Sequence, residues 1–294
     1  MTASLVTHVR PRMGTLLAAS LPERSASHLA TVFETAAACE QLMSRHRAES
    51  ALSRLNRLRA LSCRELAATL GAARTLAEAT AGAFDPTVGP LVDLWRDASR
   101  RRARPGRRQL AAALDAVGWS GLRIQGARIA LARSRAAVDL GGFGKGVALD
   151  RMAARLRRQG CRAGILNFGE SSLLALGRRR WRVALRHPRG GHVGEFVLSE
   201  GACSTSATFG QTLTVGSRSL SHVLDPRSGR PVPWMAQVTV IATSASVAEA
   251  ASTALLVSGR RAMADLPGRL DVEACWIDDR GILTTAGFPL ATVA

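Results

Sequence analysis

Apolar residues in the first part of the chain recur at helical spacing. Between residues 25 and 57 they fall at steps of three and four: Leu29, Val32, Phe33, Ala36, Leu42 and Met43. This spacing places them on one face, so the segment predicts one or two helices. Segments rich in alanine and leucine predict two further helices, over residues 65–81 and 109–117.

The pattern changes to strands from residue 164 onward. Short runs of apolar and β-branched residues are separated by turn residues: GILNF, SLLALG, RWRVAL, GEFVLS, QTLTVG, LSHVLD and QVTVIAT. LRIQGARIALA predicts one hairpin, and VEACWIDD with GILTTAG predicts another. Helices are predicted over 146–159, where Gly160 ends the helix, and over 246–257, where the helix stops before Gly259. Helices and strands do not alternate regularly, so we expect an α+β fold with mixed or antiparallel sheets flanked by helices.

The length of 294 residues allows one large domain or two small ones, and the 47% of apolar residues is ordinary for a globular protein. No run of eighteen apolar residues occurs, so we expect no membrane span. The N-terminal residues lack a signal-peptide pattern and a lipoprotein cysteine, so we expect a cytoplasmic protein. The five cysteines are scattered without a CxxC pair, which favours free thiols over disulfides or a zinc site.

The net charge of +18 invites a nucleic-acid interpretation, which we reject. Arginine and alanine are abundant while tyrosine is absent, a skew typical of a GC-rich coding sequence. The densest basic run, RRRARPGRR at 100–108, contains no aromatic residue. It predicts a solvated loop, with a docking surface for an acidic partner as the alternative.

One cation stands apart from this background. Of the 40 lysine and arginine residues only Lys145 is a lysine, and it lies in the stretch DLGGFGKGVALD at 139–150. A glycine-rich segment before a helix exposes backbone N–H groups and the positive end of the helix dipole, which suits a phosphate group. A compact ammonium reaches a phosphate oxygen where a flat guanidinium is too wide. From the residues alone, chance survival of one lysine is the alternative. The stretch matches neither a Walker A loop nor GxGxxG.

Further segments occur in a defined order along the chain: MGT at 13–15, LMSRHRAESALSRLNR at 42–57, GAFDPTVGPLVDLW at 82–95, NFGESSLLALG at 167–177, SHVLDPRSGRPV at 221–232 and VTVIATSASVAEAASTALLVSG at 238–259. With DLGGFGKGVALD, this series resembles the FAD:protein FMN transferase family, also called ApbE, over residues 13–259. The patterns FDPTVGPL, DLGGxxKGxxxD and HxxDPxxGxP are each fairly specific, and all three occur here.

The resemblance favours one ApbE-like domain over residues 1–294. It implies that this domain binds FAD and Mg²⁺ and passes FMN to a threonine hydroxyl of an acceptor protein, releasing AMP. Alternatives are an FAD pyrophosphatase, in which water replaces the hydroxyl, and a non-catalytic FAD-binding protein. We expect a monomer or weak dimer whose partners are FAD and the acceptor protein, with no nucleic acid.

The resemblance also implies which residues contact FAD. Matching positions are Met13, His46, Ala83, Phe84, Asp85, Asp139, Lys145 and Val223. For Met13, a place in a core strand is the alternative. His46 stands where the family often has tyrosine, and a surface histidine is its alternative. Asp85 precedes a proline, so an Asx turn is an alternative to ligand binding.

His222 is the predicted general base, because an imidazole accepts a hydroxyl proton near neutral pH. A core histidine bonded to Asp225 or to a carbonyl is the alternative. The magnesium ligands implied by the resemblance are the Gly142 carbonyl, Glu249 and Thr253. The last two are four residues apart and share a helical face. TSA at 205–207 is expected to form a loop beside the site.

Two positions depart from the family pattern. Glu249 stands where aspartate is usual, and glutamate is one methylene longer in a site where Mg²⁺ demands tight geometry. NFGES replaces the common NxGGD, so that Glu170 and Ser171 take the places of a glycine and an acid. Both departures bear on activity more than on the fold.

Overall fold

The computed structural model describes residues 4–291, and its helices lie mainly in the first half of the chain. They are α1 (Leu29–Met43), α2 (Ala51–Leu58), α3 (Arg64–Ala79), α4 (Gly89–Arg100), α5 (Arg107–Asp115), α6 (Gly144–Arg158), α7 (Ala245–Ser258) and α8 (Leu266–Leu270). Local signals fix two of the starts. The Ser50 hydroxyl accepts a hydrogen bond from the amide of Ser53 at 3.0 Å and caps α2. Pro90 lies in the first turn of α4, where no amide donor is needed.

The strands group into one large and several small sheets. They are β1 (Leu5–Arg12), β2 (Thr15–Pro22), β3 (Ala60–Ser62), β4 (Leu122–Gln125), β5 (Arg128–Leu131), β6 (Gly164–Phe168), β7 (Ser172–Leu176), β8 (Trp181–Arg186), β9 (His192–Leu198), β10 (Gly201–Ala207), β11 (Thr212–Val215), β12 (Arg218–Ser221), β13 (Leu224–Asp225), β14 (Arg230–Pro231), β15 (Ala236–Ala242), β16 (Glu273–Asp278), β17 (Gly281–Thr284) and β18 (Leu290–Ala291).

The large sheet has eight strands in the order β1-β2-β6-β7-β10-β15-β16-β17. Each neighbouring pair in it is antiparallel. Successive side chains on a strand point to opposite faces, so its central strands supply apolar residues to two layers. On β10, Ala202 belongs to the core beneath the helices and Cys203 to the core beneath the small sheet β18-β9-β8. The result is three layers: helices, large sheet and small sheet.

Helix α7 is the centre of the helical layer. It packs on β10, β15 and α6, and α6 in turn packs on α1. Ten of its residues are buried, among them the charged Glu249. A helix apolar on nearly all sides belongs in the interior, as its Ala- and Leu-rich sequence indicates.

A separate apolar cluster joins α4 and α5 to the β11–β12 hairpin through Leu91, Trp95 and Val215. The Trp95 indole donates a hydrogen bond to the carbonyl of Gly229 at 2.8 Å. This cluster holds the segment that leads from β12 to His222.

The α+β prediction is confirmed, and so are the predicted helices and both hairpins. Two local predictions are wrong. TSA at 205–207 is the end of strand β10, not a loop, because its residues pair with β15. LSHVLD is not one strand, since the chain leaves the extended ladder at His222 and Val223 between β12 and β13. Within the described residues, no helix is both long and apolar enough to cross a membrane.

Candidate active site

The candidate site is a cavity of about 710 Å³ between the N-terminus of α6, the end of α1 and the β1–β2 turn. Its volume is in the range of small-molecule sites. Four residues singled out from the sequence line it: Met13, His46, Asp139 and Lys145. The other lining residues include Glu40, Arg45, Arg47, Arg96 and Gln211, together with backbone from Gly141, Gly144 and Gly169.

Helices α6 and α7 meet at their N-terminal turns because position 146 is glycine. A Cβ on Gly146 would lie 2.5 Å from the carbonyl oxygen of Ala245 and 2.6 Å from the Cα of Ser246. One turn further along α6, the Asp150 carboxylate accepts hydrogen bonds from the amides of Ala245 (2.8 Å) and Ser246 (3.0 Å). Asp150 therefore caps α7 from a neighbouring helix.

Glu249 makes a second connection between the two helices, from α7 to the first turn of α6. One carboxylate oxygen accepts from the amide of Gly146 at 2.6 Å, and the other lies 2.5 Å from the Lys145 ammonium. The Glu249 side chain is 4% exposed and that of Lys145 is 23% exposed. The lysine is thus tethered at the helix start, with one side toward the cavity.

Oxygen groups gather beside this ion pair. The Gly142 backbone lies against Thr253, since a Cβ on Gly142 would be 3.2 Å from the threonine hydroxyl oxygen. The hydroxyl of Ser206, at the end of β10, lies 3.4 Å from that of Thr253. Among residues 4–291, no group of three His, Cys, Asp or Glu side chains is arranged to hold a metal. A cation here would be held by Glu249 together with hydroxyl and carbonyl oxygens.

Asp139 orders the glycine loop. One of its carboxylate oxygens accepts from the amide of Gly141 at 2.7 Å, and the other pairs with the Arg45 guanidinium. Arg45 also bonds Asp93 at 2.6 Å, so it joins the loop to α4. The Arg45 and Asp139 side chains are only 14% and 11% exposed. The carboxylate is therefore occupied by protein partners, as an anchor of the loop requires.

The opposite wall of the cavity is the β1–β2 turn. Met13 adopts a left-handed backbone with φ of 49°, and its amide donates to the carboxylate of Glu40 at 3.1 Å. Arg47 bonds the same carboxylate at 3.3 Å. The amides of His46 and Arg47 donate to the Ser44 hydroxyl, which folds the chain after α1 and directs this segment along the cavity.

His222 lies at the edge of the site. Its Nδ1 is 2.8 Å from the carbonyl oxygen of Gln211, a residue that lines the cavity. A carbonyl can only accept, so Nδ1 carries the proton and Nε2 of the neutral ring is left as an acceptor. The surrounding residues desolvate the ring and lower the pKa of His222, although part of the residue is exposed. The hydrogen bond to Gln211 partly offsets this effect, and the Lys145 charge lowers the pKa further.

Other predicted site residues lie behind the cavity wall. Ala83 and Phe84 are buried in the main core, and the Phe84 ring is 5.7 Å from that of Phe143 in the glycine loop. Asp85 accepts two hydrogen bonds from Thr87, both at 2.8 Å, which is the Asx-turn arrangement. Burial raises the pKa of Asp85, and these two bonds partly offset the rise. These residues support the loop from behind.

Val223 is half-buried, and both of its backbone polar groups have protein partners. Its amide donates to the Ser221 hydroxyl at 3.0 Å, and its carbonyl accepts from the amide of Val232 at 2.9 Å. It follows His222 directly, so these bonds hold the backbone next to the imidazole.

Of the two residues that depart from the family pattern in NFGES, only Ser171 lines the cavity. Gly169 and Ser171 line the cavity, whereas the Glu170 side chain is 80% exposed and lies 3.8 Å from Arg186. Gly169 and Glu170 have φ angles of 64° and 59°, so they form the tight β6–β7 turn. The added acid therefore points to solvent rather than into the cavity.

Sequence reasoning missed Arg45, Glu40, Gln211 and the capping role of Asp150. The Arg45–Asp139 and Asp150–Ala245 contacts span 94 and 95 residues, so no local pattern reveals them. Only Asp150 could have been selected from the sequence, because it stands one helical turn after Gly146 on the same face of the predicted helix.

The cavity, the glycine loop at the start of α6 and Lys145 have the size and the positive groups that a site for a large anionic ligand requires. Residues 13–276 match the model of the ApbE family. The chain is 31% identical over 269 residues to the FAD:protein FMN transferase of Escherichia coli K12, covering 84% of this chain and 76% of that protein. It is 32% identical over 229 residues to the enzyme of the same name from Rhodobacter capsulatus, covering 75% of this chain but only 44% of that relative.

Solved structures agree with this assignment. The flavin transferase ApbE of Vibrio cholerae superposes with a TM-score of 0.82 at 25% identity, covering 96% of this chain and 97% of that one. The ApbE protein of Thermotoga maritima superposes with a TM-score of 0.88 at 24% identity, over 96% and 97% of the two chains, which shows the fold. The chain belongs to the ApbE family.

Proposed function

We propose that this protein transfers FMN from FAD to a threonine hydroxyl of an acceptor protein, with release of AMP and with the help of Mg²⁺. Family membership supports the flavin transfer. The observation that carries the proposal to this chain is that Lys145 and the α6 N-terminus line one cavity, while His222 is hydrogen-bonded to Gln211, another residue that lines it.

The phosphate end of FAD fits the glycine loop. Gly144 begins α6 and Lys145 follows it, so the positive end of the helix dipole and an ammonium group lie in the same region. The amides of Gly144 and Gly146 already donate to the Leu140 carbonyl at 2.7 Å and to Glu249 at 2.6 Å, so the dipole and the ammonium supply the attraction. Arg47 and Arg96 line the same cavity and add positive charge. These groups bind and orient the diphosphate, which leaves the flavin for the wall formed by Met13 and His46.

His222 supplies the base. The Gln211 carbonyl fixes the tautomer in which Nε2 accepts a proton, and the lowered pKa keeps the ring neutral near pH 7. Nε2 takes the proton of the threonine hydroxyl as its oxygen attacks the phosphorus on the FMN side of the pyrophosphate. The bond to the bridging oxygen breaks, and AMP carries that oxygen away.

The oxygen groups near Lys145 suit a magnesium ion in kind. Glu249, the Thr253 hydroxyl and the Gly142 carbonyl are the residues that would hold it, and hard cations prefer such ligands. When bound, the metal would supply charge stabilisation to the phosphates.

Intact-protein mass spectrometry tests the proposal. The purified chain is mixed with FAD, Mg²⁺ and an acceptor domain that carries the target threonine, with a threonine-to-alanine acceptor as the matched control. We expect the acceptor to gain the mass of one FMN less water, and we expect neither the control acceptor nor the His222→Ala enzyme to produce this gain.

Two outcomes contradict the proposal. Free FMN and AMP without any mass gain would identify an FAD pyrophosphatase. Bound FAD with neither AMP nor mass gain would identify a non-catalytic FAD-binding protein.

A further inference from the structure

The Glu249 carboxylate has two partners and no free oxygen. Lys145 lies on one oxygen at 2.5 Å and the Gly146 amide on the other at 2.6 Å. Glu249 is also the only carboxylate among the three residues that would hold a metal. A buried carboxylate needs such partners, because an uncompensated charge in the interior is costly.

We propose that the Lys145 ammonium occupies the cation position of Glu249 in the FAD-free protein, so that a divalent metal binds there weakly until a diphosphate has drawn the ammonium away. This inference rests on the proposed function, since it takes FAD to be the ligand that supplies the diphosphate.

The side chains allow this exchange. Lys145 is 23% exposed and lines the cavity, so a four-carbon stem can swing its ammonium from Glu249 toward a phosphate without refolding the helix. Glu249 is 4% exposed and held by the Gly146 amide, so it stays in place when the lysine leaves. The freed oxygen lies on the same helical face as Thr253, the second residue of the metal site.

The longer side chain of glutamate bears on the same contact. Glu249 reaches the ammonium and the α6 amide together, and an aspartate at the same backbone position would be one methylene shorter. The departure from the family's aspartate therefore favours the lysine-bound state of the carboxylate.

The exchange makes diphosphate and metal binding mutually favourable. A ligand that binds Lys145 removes the competitor of the metal, and by linkage the metal raises the affinity for that ligand by the same factor. The charged site is therefore complete only when FAD and the metal are both bound, and each favours the binding of the other.

Binding of Mn²⁺ alone, followed by electron paramagnetic resonance of the free ion, tests this without FAD, acceptor or turnover. We compare the wild type with Lys145→Met and with Arg47→Met, which removes a cation from the same cavity but not from Glu249. We expect Lys145→Met to bind Mn²⁺ at least about tenfold more tightly than the wild type. We expect Arg47→Met to differ less than about twofold, because its charge is exposed and screened. The double variant Lys145→Met/Glu249→Gln should lose the gain.

Equal gains in both single variants would show a general charge effect and would overturn the proposal, as would an unchanged affinity in Lys145→Met. Because these readings involve no transfer, they remain valid if the mass-spectrometric test of the proposed function fails.

The single lysine permits a second measurement on the folded wild type. Labelling with ¹³C-lysine gives one Cε signal, which reports on Lys145 alone. We expect this signal to shift on addition of ADP toward its position in Glu249→Gln. A signal that ADP moves but Glu249→Gln does not would show that the ion pair is absent in solution and would overturn the proposal.

Discussion

Replacement of Gly146 by alanine tests the close contact that builds the site. The added Cβ would lie 2.5 Å from the Ala245 carbonyl oxygen, 2.6 Å from the Ser246 Cα and 2.7 Å from the Ala245 carbonyl carbon. These distances are about 0.7–0.9 Å short of ordinary contact, which begins at 3.4 Å, and the atoms belong to the backbone of α7, so no side chain can rotate away. The two helices would have to separate.

The expected cost follows from two opposing terms. Overpacking of a well-packed contact typically costs about 1–3 kcal/mol. Alanine regains at most about 1 kcal/mol of helix propensity over glycine. We therefore expect Gly146→Ala to lower the free energy of unfolding by about 1–2 kcal/mol. The shift should also weaken FAD use, because Gly146, Lys145 and Glu249 move together.

Gly71→Ala is the matched control. Gly71 lies within α3, and a Cβ there would meet no atom within 4 Å, so the propensity term acts alone. We expect this variant to gain about 0.5–1 kcal/mol. Denaturant unfolding of both variants measures the two values. A Gly146→Ala protein as stable as Gly71→Ala would refute the packing argument.

Three further predictions concern individual side chains. Lys145→Arg should lower kcat/KM for FAD at least about tenfold, because the wide guanidinium cannot replace the ammonium between Glu249 and the cavity. Arg74→Lys, at an exposed position on α3 outside the cavity, should change kcat/KM little, and equal losses in steady-state kinetics of the two variants would contradict this. Asp150→Asn should lower the free energy of unfolding by about 1–2 kcal/mol, because the single amide oxygen cannot accept from all the donors that the carboxylate serves at the start of α7. An unaltered midpoint of denaturant unfolding would contradict the capping role. His222 must be neutral to accept a proton, and its pKa is lowered from the ordinary value of 6.5 for histidine. We therefore expect the acidic limb of the pH profile of kcat/KM to lie below pH 6.5. A limb above that pH would argue against His222 as the base.

Much of the fold is visible in the sequence because periodicity reports burial. The apolar spacing from Leu29 to Met43 gave the position of α1, and the alternation around Gly126 gave the β4–β5 hairpin. Strand β10 was not recognised, because GACSTSA contains small residues that form no apolar run. It is nevertheless a central strand, and small side chains fit there because α7 packs closely on it.

Helix α4 was missed for a different reason. Its first turn, Gly89-Pro90, belongs to the motif FDPTVGPL that carries the family resemblance, although a proline at that place is also a helix-start signal. In the candidate site, contacts between residues far apart in the sequence could not be predicted either. Lys145 could be selected because it is unique, but its pairing with Glu249 joins residues 104 positions apart and depends on how α6 and α7 cross.

The most direct test of the account is a crystal structure of the protein with FAD. We expect the diphosphate within about 3.5 Å of the Lys145 ammonium and beside the N-terminus of α6, with the flavin against Met13 and His46 and with Lys145 released from Glu249. FAD bound outside this cavity, or bound within it while Lys145 stays on Glu249 and makes no phosphate contact, would contradict the central claim.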